Sequence, residues 1–207
     1  MTKVFVIGGN IGSGKTTAGK AVAKALDACF VPEPVEEWVE SGQLAAFYKD
    51  PSKGYAFQTY AMQTRVQALN ARLVQWRHAH HDEMPEVIVL DRWLDDDMMF
   101  GRVTHQRGGM TDEEFARYCA EHADLLRSVN KCGFLRNPHS VWLEATPETC
   151  LARLNARGRE EEQTIALDYL QALEAAKPAV SHALATDAKD ADAVARELAE
   201  YIRSQLS

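Results

Sequence analysis

The sequence predicts a single α/β domain, a parallel sheet of about five strands with helices on both faces. Three observations predict it. Short apolar runs alternate with longer helical patterns along the chain. The runs are continuous rather than half polar, as strands buried on both faces are. No internal repeat, low-complexity stretch or linker-like composition divides the 207 residues, so residues 1–207 are read as one domain.

The elements follow in order. Val4 to Ile7 is a β-branched-rich strand ending in Gly8-Gly9. Lys15 to Leu26 is helical, with Ala18, Val22, Ala25 and Leu26 on one face. Cys29 to Val31 is a second strand, closed by Pro32 and Pro34. Ala56 to His81 reads as a long helix, and Val87 to Leu90 as the third strand. Thr111 to Asn130 opens on Thr111-Asp112-Glu113-Glu114, a capping-box sequence, and is helical. Val141 to Leu143 is the fourth strand. Thr146-Pro147-Glu148 then starts a helix, with Thr as N-cap and Pro in the first turn. A weak fifth strand, Ala183 to Thr186, precedes the C-terminal helix Ala191 to Leu206.

Composition narrows the function classes. The net charge of −7 disfavours a polymeric nucleic acid partner, which prefers a basic face. No run of about 18 apolar residues exists, so no membrane span is expected, and the simplest address is the cytoplasm. Cys29, Cys119, Cys132 and Cys150 are widely spaced and read as reduced structural cysteines.

The first strand runs into Gly9-Asn10-Ile11-Gly12-Ser13-Gly14-Lys15-Thr16, followed by Thr17 and a helix. This is the G-x-x-x-x-G-K-[ST] phosphate loop in its strand-to-helix context. The glycines let successive N–H groups turn inward on phosphate oxygens, and the helix N-terminus adds its positive dipole end. Lys15 reaches the β- and γ-phosphates, and the Thr16 hydroxyl is a ligand for Mg²⁺. The loop alone does not separate kinases from motor or switch ATPases, although the GTPase sequence N-K-x-D is missing.

A second constellation discriminates. Glu33 lies just past the second strand, and Asp91-Arg92 ends the third, where open parallel sheets line their ligand crevice. A carboxylate there can take a proton from a hydroxyl nucleophile, and an arginine can hold the incoming oxygen. Taken alone, Glu33 reads first as a solvated loop acid, and Asp91 as a carboxylate on Mg²⁺.

Four separated segments make the pattern specific. They are Gly8 to Thr16; Val31-Pro32-Glu33-Pro34-Val35 with Trp38; Phe57-Gln58-Thr59-Tyr60-Ala61 with Arg65; and Ala145 to Leu151 running on to Arg157-Gly158-Arg159-Glu160-Glu161-Glu162-Gln163. In this order, over about residues 3 to 170, the chain resembles the deoxynucleoside kinase family, in particular its deoxycytidine and deoxyguanosine kinases. The resemblance implies a P-loop kinase fold. It also implies that ATP and Mg²⁺ serve to phosphorylate the 5′-hydroxyl of a deoxynucleoside.

Roles follow from the resemblance at matching positions. Glu33 matches the general base, Arg92 its partner on the 5′-oxygen, and Asp91 the acid linked to Mg²⁺. Gln58 matches the side chain that hydrogen-bonds the base, between walls at Phe57 and Trp38. Tyr48 and Glu162 match the pair on the sugar 3′-hydroxyl. Arg153, Arg157 and Arg159 match a lid, about residues 153–163, that closes over the triphosphate. Without the resemblance they would read as a solvated helix end paired with Glu160 to Glu162. Arg65 and Asp97 match a base-edge pair that goes with deoxycytidine and purine substrates rather than thymidine. The family also implies a homodimer through the two long helices, Ala56 to His81 and Thr111 to Asn130.

Two positions depart from the family. Trp93 stands where the family usually has Ser; kinases of the thymidylate type often carry an aromatic there, which keeps nucleoside monophosphate phosphorylation as an alternative. Gly101 replaces an aromatic, with Phe100 one place early. A non-catalytic nucleotide switch is the third reading. Asp95-Asp96-Asp97 is expected to be a loop or helix start with Asp97 as its functional member, and Met98-Met99-Phe100 to be core packing. His78, His80, His81 and Asp82 read as a solvated helix end rather than a metal cluster.

Overall fold

The computed structural model describes residues 2–135 and 137–206. Five strands form one sheet: β1 (Lys3–Gly9), β2 (Cys29–Val31), β3 (Val87–Asp91), β4 (His139–Glu144) and β5 (His182–Ala185), in the order β2-β3-β1-β4-β5. Every pairing is parallel. Along the chain the helices are α1 (Lys15–Leu26), α2 (Val35–Glu40), α3 (Gln43–Lys49), α4 (Gly54–Ala79), α5 (Leu94–Gln106), α6 (Asp112–Val129), α7 (Pro147–Arg157), α8 (Leu167–Ala175) and α9 (Ala191–Leu206).

The central strand shows why the sheet is covered twice. Phe5 and Ile7 point to one face and join Val22 of α1 with Leu198 and Ile202 of α9. Val4 and Val6 point to the other and join Leu69 of α4, Trp93, and Tyr118 of α6. The two-residue period of the strand splits its apolar side chains between two cores. Each fully buried large apolar side chain contributes about 1.5–3 kcal/mol.

The strands and long helices agree with the sequence reading. The Thr111 capping box forms: its hydroxyl accepts the Glu114 N–H at 3.2 Å, and Glu114 accepts the Thr111 N–H at 2.9 Å. Thr146 caps α7 through the Thr149 N–H. The first long helix needs correction, since it spans Gly54–Ala79 rather than Ala56 to His81. Gly54 fits its start because a Cβ there would lie 2.4 Å from both the Gly109 carbonyl oxygen and Thr104 Cγ2.

The short helices α2, α3 and α8 were not read from the sequence, nor was α5 beyond a loop or helix start at Asp95 to Asp97. Residues 95–97 lie inside α5, where acids in the first turn suit the positive end of the helix dipole. Among the described residues, no helix is long and apolar enough to cross a membrane.

The carboxyl ends of the strands converge. The phosphate loop follows β1, Glu33 follows β2, Asp91 and Arg92 end β3, and Thr186 follows β5. The sequential connections step outward from β1 to β2 and then return across it to β4, so the crevice opens above β1.

Candidate active site

The phosphate loop curls as its glycines allow. Gly12 (φ 85) and Gly14 (φ 98) take left-handed backbone, and a Cβ on Gly12 would sit 2.6 Å from the Cys150 carbonyl oxygen. Asn10 braces the loop from within: its Oδ1 accepts the Ile11 N–H and its Nδ2 donates to the Leu170 carbonyl, each at 2.8 Å. Lys15 Nζ donates to the Asn10 carbonyl at 2.7 Å. Burial, then the neighbouring Arg92, lowers the Lys15 pKa to about 8.

The Thr16 hydroxyl donates to Asp91 Oδ2 at 2.5 Å, while the buried Oδ1 has no hydrogen-bond partner. Burial, then Glu33, raises the Asp91 pKa. The inward-facing charges here are Lys15, Arg65 and Arg92 against Glu33, Asp91, Asp96 and Asp97, an excess of one carboxylate. An orphaned carboxylate oxygen beside a threonine hydroxyl, in a net-negative pocket, fits Mg²⁺. That ion is usually held by one or two carboxylates plus substrate phosphates.

Beside the loop lies a cavity walled by aromatic and charged side chains. It brings together Glu33, Trp38, Tyr48, Phe57, Gln58, Arg65, Arg92, Asp97 and Glu162, all of the acceptor-side residues expected from the sequence. Phe57 is fixed between two rings: edge-on to Trp38 at 5.7 Å and stacked on Phe47 at 5.0 Å. Gln58 is buried and its Nε2 donates to Thr104 Oγ1 at 3.3 Å. Burial, together with Tyr169 and Glu162 nearby, raises the Tyr48 phenol well above its ordinary pKa, so it stays protonated.

The charged wall is tightly ordered. Arg65 Nε and Nη2 donate to the Asp97 carboxylate at 2.9–3.2 Å, its Nη2 also reaches Glu33 Oε1 at 3.0 Å, and its Nη1 donates to the Asp91 carbonyl. Arg92 Nη1 donates to the Gly9 carbonyl at 2.7 Å. Its Nε lies 3.3 Å from Glu33 Oε1, an ion-pair contact without hydrogen-bond alignment. Both arginines reach the same Glu33 oxygen, which leaves Oε2 with no partner among the described residues. Burial pushes the Glu33 carboxyl up, but Arg92 and Arg65 outweigh it and hold the pKa below the ordinary value. Burial raises the Asp97 carboxyl against the opposing pull of Arg65, and raises Asp96 to about 6.

The three arginines expected in a lid separate. Arg153 is anchored: its guanidinium donates to the Thr186 carbonyl at 2.9 Å and the Ser13 carbonyl at 3.4 Å. Arg157 and Arg159 both pair with Glu162, at 2.5 and 3.4 Å. A second cavity, on the other side of the phosphate loop, is lined by Ser13, Gly14, Thr17, Arg153, Thr186 and Lys189.

The departures resolve structurally. The Trp93 ring is buried in the core beneath the sheet rather than in the cavity. Gly101 makes room for Tyr118, since a Cβ there would lie 2.3 Å from the ring, and the Tyr118 hydroxyl donates to the Asp97 carbonyl at 2.7 Å. Phe100 packs against the core around Met99, as expected, and also lines the cavity under the Arg92 guanidinium, which lies 4.8 Å from its ring centroid. Sequence reasoning missed Phe47, Phe100, Tyr169 and Asp96. For Asp96 the helical phase was the available signal: Asp95 is exposed, while Asp96 and Asp97 turn inward. At the end of α4, His80 stacks on Trp76 at 3.9 Å, an aromatic contact with no second histidine in it.

Comparison with known proteins identifies the family. Residues 5–190 match the model of the deoxynucleoside kinase family. The chain is 32% identical to the deoxyadenosine kinase of Dictyostelium discoideum over 171 residues, 82% of this chain and 62% of that one. It is 31% identical to human deoxycytidine kinase over 196 residues, 83% of this chain and 72% of that one. A solved deoxyadenosine kinase from M. mycoides, with bound dCTP, superposes with a TM-score of 0.73 at 21% identity, covering 97% of this chain and 99% of that chain. A parallel sheet with a phosphate loop at its centre, and a family match over nearly all of its length, place the chain in the deoxynucleoside kinase family.

Proposed function

We propose that this family member transfers the γ-phosphoryl group of ATP to the 5′-hydroxyl of a deoxynucleoside bearing adenine, guanine or cytosine. The arrangement of Glu33 carries the reading. Its Oε1 is held by two arginines, and its Oε2 has no partner among the described residues and sits at the cavity that Gln58 and Phe57 also line. Ionised below the usual range, Glu33 accepts the 5′-hydroxyl proton as the O–P bond forms, and Arg92 holds the same oxygen. Lys15 and the lid arginines neutralise charge on the transferring phosphoryl group, which needs positioning more than covalent help. Mg²⁺, held by Thr16 and Asp91 with the phosphates, supplies further charge neutralisation.

On the acceptor side, Gln58 offers a donor and an acceptor to a base edge, and Tyr48 with Glu162 faces the sugar. The Asp97 carboxylate accepts a hydrogen bond from an exocyclic amino group, which adenine, guanine and cytosine carry and thymine lacks. On the donor side, the cavity at Thr17, Arg153 and Lys189 has room for the nucleoside of ATP. The ground for a monophosphate substrate was Trp93, and its ring is in the core.

A homodimer through α4 and α6 fits the exposed Val74 on α4. The function test is a phosphorylation screen with Mg·ATP against the four deoxynucleosides and their monophosphates. Highest kcat/KM on thymidine sinks the base assignment, and turnover of monophosphates alone sinks the acceptor class.

A further inference from the structure

Asp96 takes no part in the roles above, yet only 2% of its surface is exposed. Its two oxygens do different things. Oδ2 accepts the Trp93 N–H at 3.0 Å. Oδ1 has no hydrogen-bond partner and lies 3.8 Å from Arg92 Nη1. It also lies against β1, where a Cβ on Gly8 would meet it at 3.1 Å. Trp93 has no hydroxyl with which to cap α5, so the Asp96 carboxylate closes that helix start from within. The residue just before it, Arg92, has φ 67, a conformation that a bulky side chain holds only where its surroundings impose it.

A neutral asparagine would accept the Trp93 N–H equally well, and a buried charge is unfavourable unless it is paired. The charge of Asp96 therefore calls for a partner, and the nearest cation is Arg92. That guanidinium is drawn in several directions: Nε towards Glu33, Nη1 towards the Gly9 carbonyl and Asp96.

We propose that Asp96 is a positioning residue for phosphoryl transfer: its carboxylate fixes the left-handed turn at Arg92 and keeps that guanidinium over the phosphate loop instead of collapsing onto Glu33. The proposal rests on reading Arg92 as the group that holds the acceptor oxygen. Without the charge of Asp96, the guanidinium moves onto Glu33, and the base and its helper neutralise each other.

Asp96→Asn, Arg92→Lys and the double variant test this, with kcat, both KM values and Tm measured for each. A purely structural role predicts a lower Tm for Asp96→Asn. The positioning role predicts Tm at or above wild type, KM for ATP and nucleoside within about threefold, and kcat at least about tenfold lower. In the Arg92→Lys background, Asp96→Asn then changes kcat by less than about twofold, because the effect runs through Arg92. Multiplicative losses in the double variant, or normal kcat in Asp96→Asn beside a slow Arg92→Lys, overturn the role of Asp96 alone. Normal kcat in Arg92→Lys overturns the reading of Arg92 as well. Should Asp96→Asn fail to fold, Asp96→Ser is read the same way, being smaller, neutral and still able to accept the Trp93 N–H.

Discussion

Nucleotide binding should draw a proton from solution, and the amount is set by Lys15. The amine is buried among the loop carbonyls, and burial first, then Arg92, brings its pKa from 10.5 to about 8. Between those two values the unfolded chain holds the proton and the folded chain does not, so folding stability rises with pH across that window. Below about pH 8 the charged amine costs the empty site on the order of 3 kcal/mol. A triphosphate reverses the balance, because its negative charge at Nζ favours the ammonium. The fraction of Lys15 that must be protonated on binding is then about 0.1 at pH 7, about 0.5 at pH 8 and about 0.9 at pH 9. Affinity should fall by up to about tenfold per pH unit above 8. Titration calorimetry of Mg·ATP, in two buffers with different ionisation enthalpies, reads the uptake as the dependence of the apparent enthalpy on the buffer. No buffer dependence at pH 9, or an affinity unchanged from pH 7 to 9, refutes the reasoning.

Other perturbations have equally definite signs. Glu33→Gln keeps an oxygen for Arg65 and Arg92 but takes no proton, so kcat should fall roughly 10²–10⁴-fold with the fold intact; near-normal turnover removes Glu33 as the base. Gly101→Ala drives a methyl group to within 2.3 Å of the Tyr118 ring, so thermal denaturation should show a loss of about 1–3 kcal/mol. The same variant should raise KM for the nucleoside rather than for ATP, because Tyr118 holds the Asp97 carbonyl; an unchanged nucleoside KM would separate Tyr118 from the base wall. Light scattering should give twice the 23.1 kDa chain mass, and a monomer at working concentration would overturn the dimer.

The periodic elements were legible because burial on both faces leaves a plain mark: β3 is apolar until its functional end at Asp91, and α6 carries its own capping box. The phosphate loop was legible because its chemistry demands glycines, Lys and Thr at fixed spacing. The acceptor wall came through the family resemblance, since Glu33 or Gln58 alone is an ordinary polar residue. The helices α2 and α3, of six and seven residues, are too short to establish a period. At Gly101 the departure from the family was visible, but not that Tyr118, from another helix, fills the space. The Asp triplet hid its second inward member because three identical residues differ only in helical phase and burial. Arg153 resembled Arg157 and Arg159 in sequence, while its anchor at Thr186 lies 33 residues away.

The left-handed backbone at Arg92 has a geometric consequence. Successive side chains of a strand point to opposite faces, so Asp91 and Arg92 in regular extended chain would diverge. The turn at Arg92 brings both to the same crevice, one bonded to Thr16 and the other set against Glu33. Asp91 and Arg92 are thus joined by a single peptide unit, whose Cα atoms are held about 3.8 Å apart by covalent geometry. The backbone anchors of these two side chains are therefore kept at a fixed separation by the planar trans peptide, a ruler that thermal motion of the surrounding helices cannot stretch.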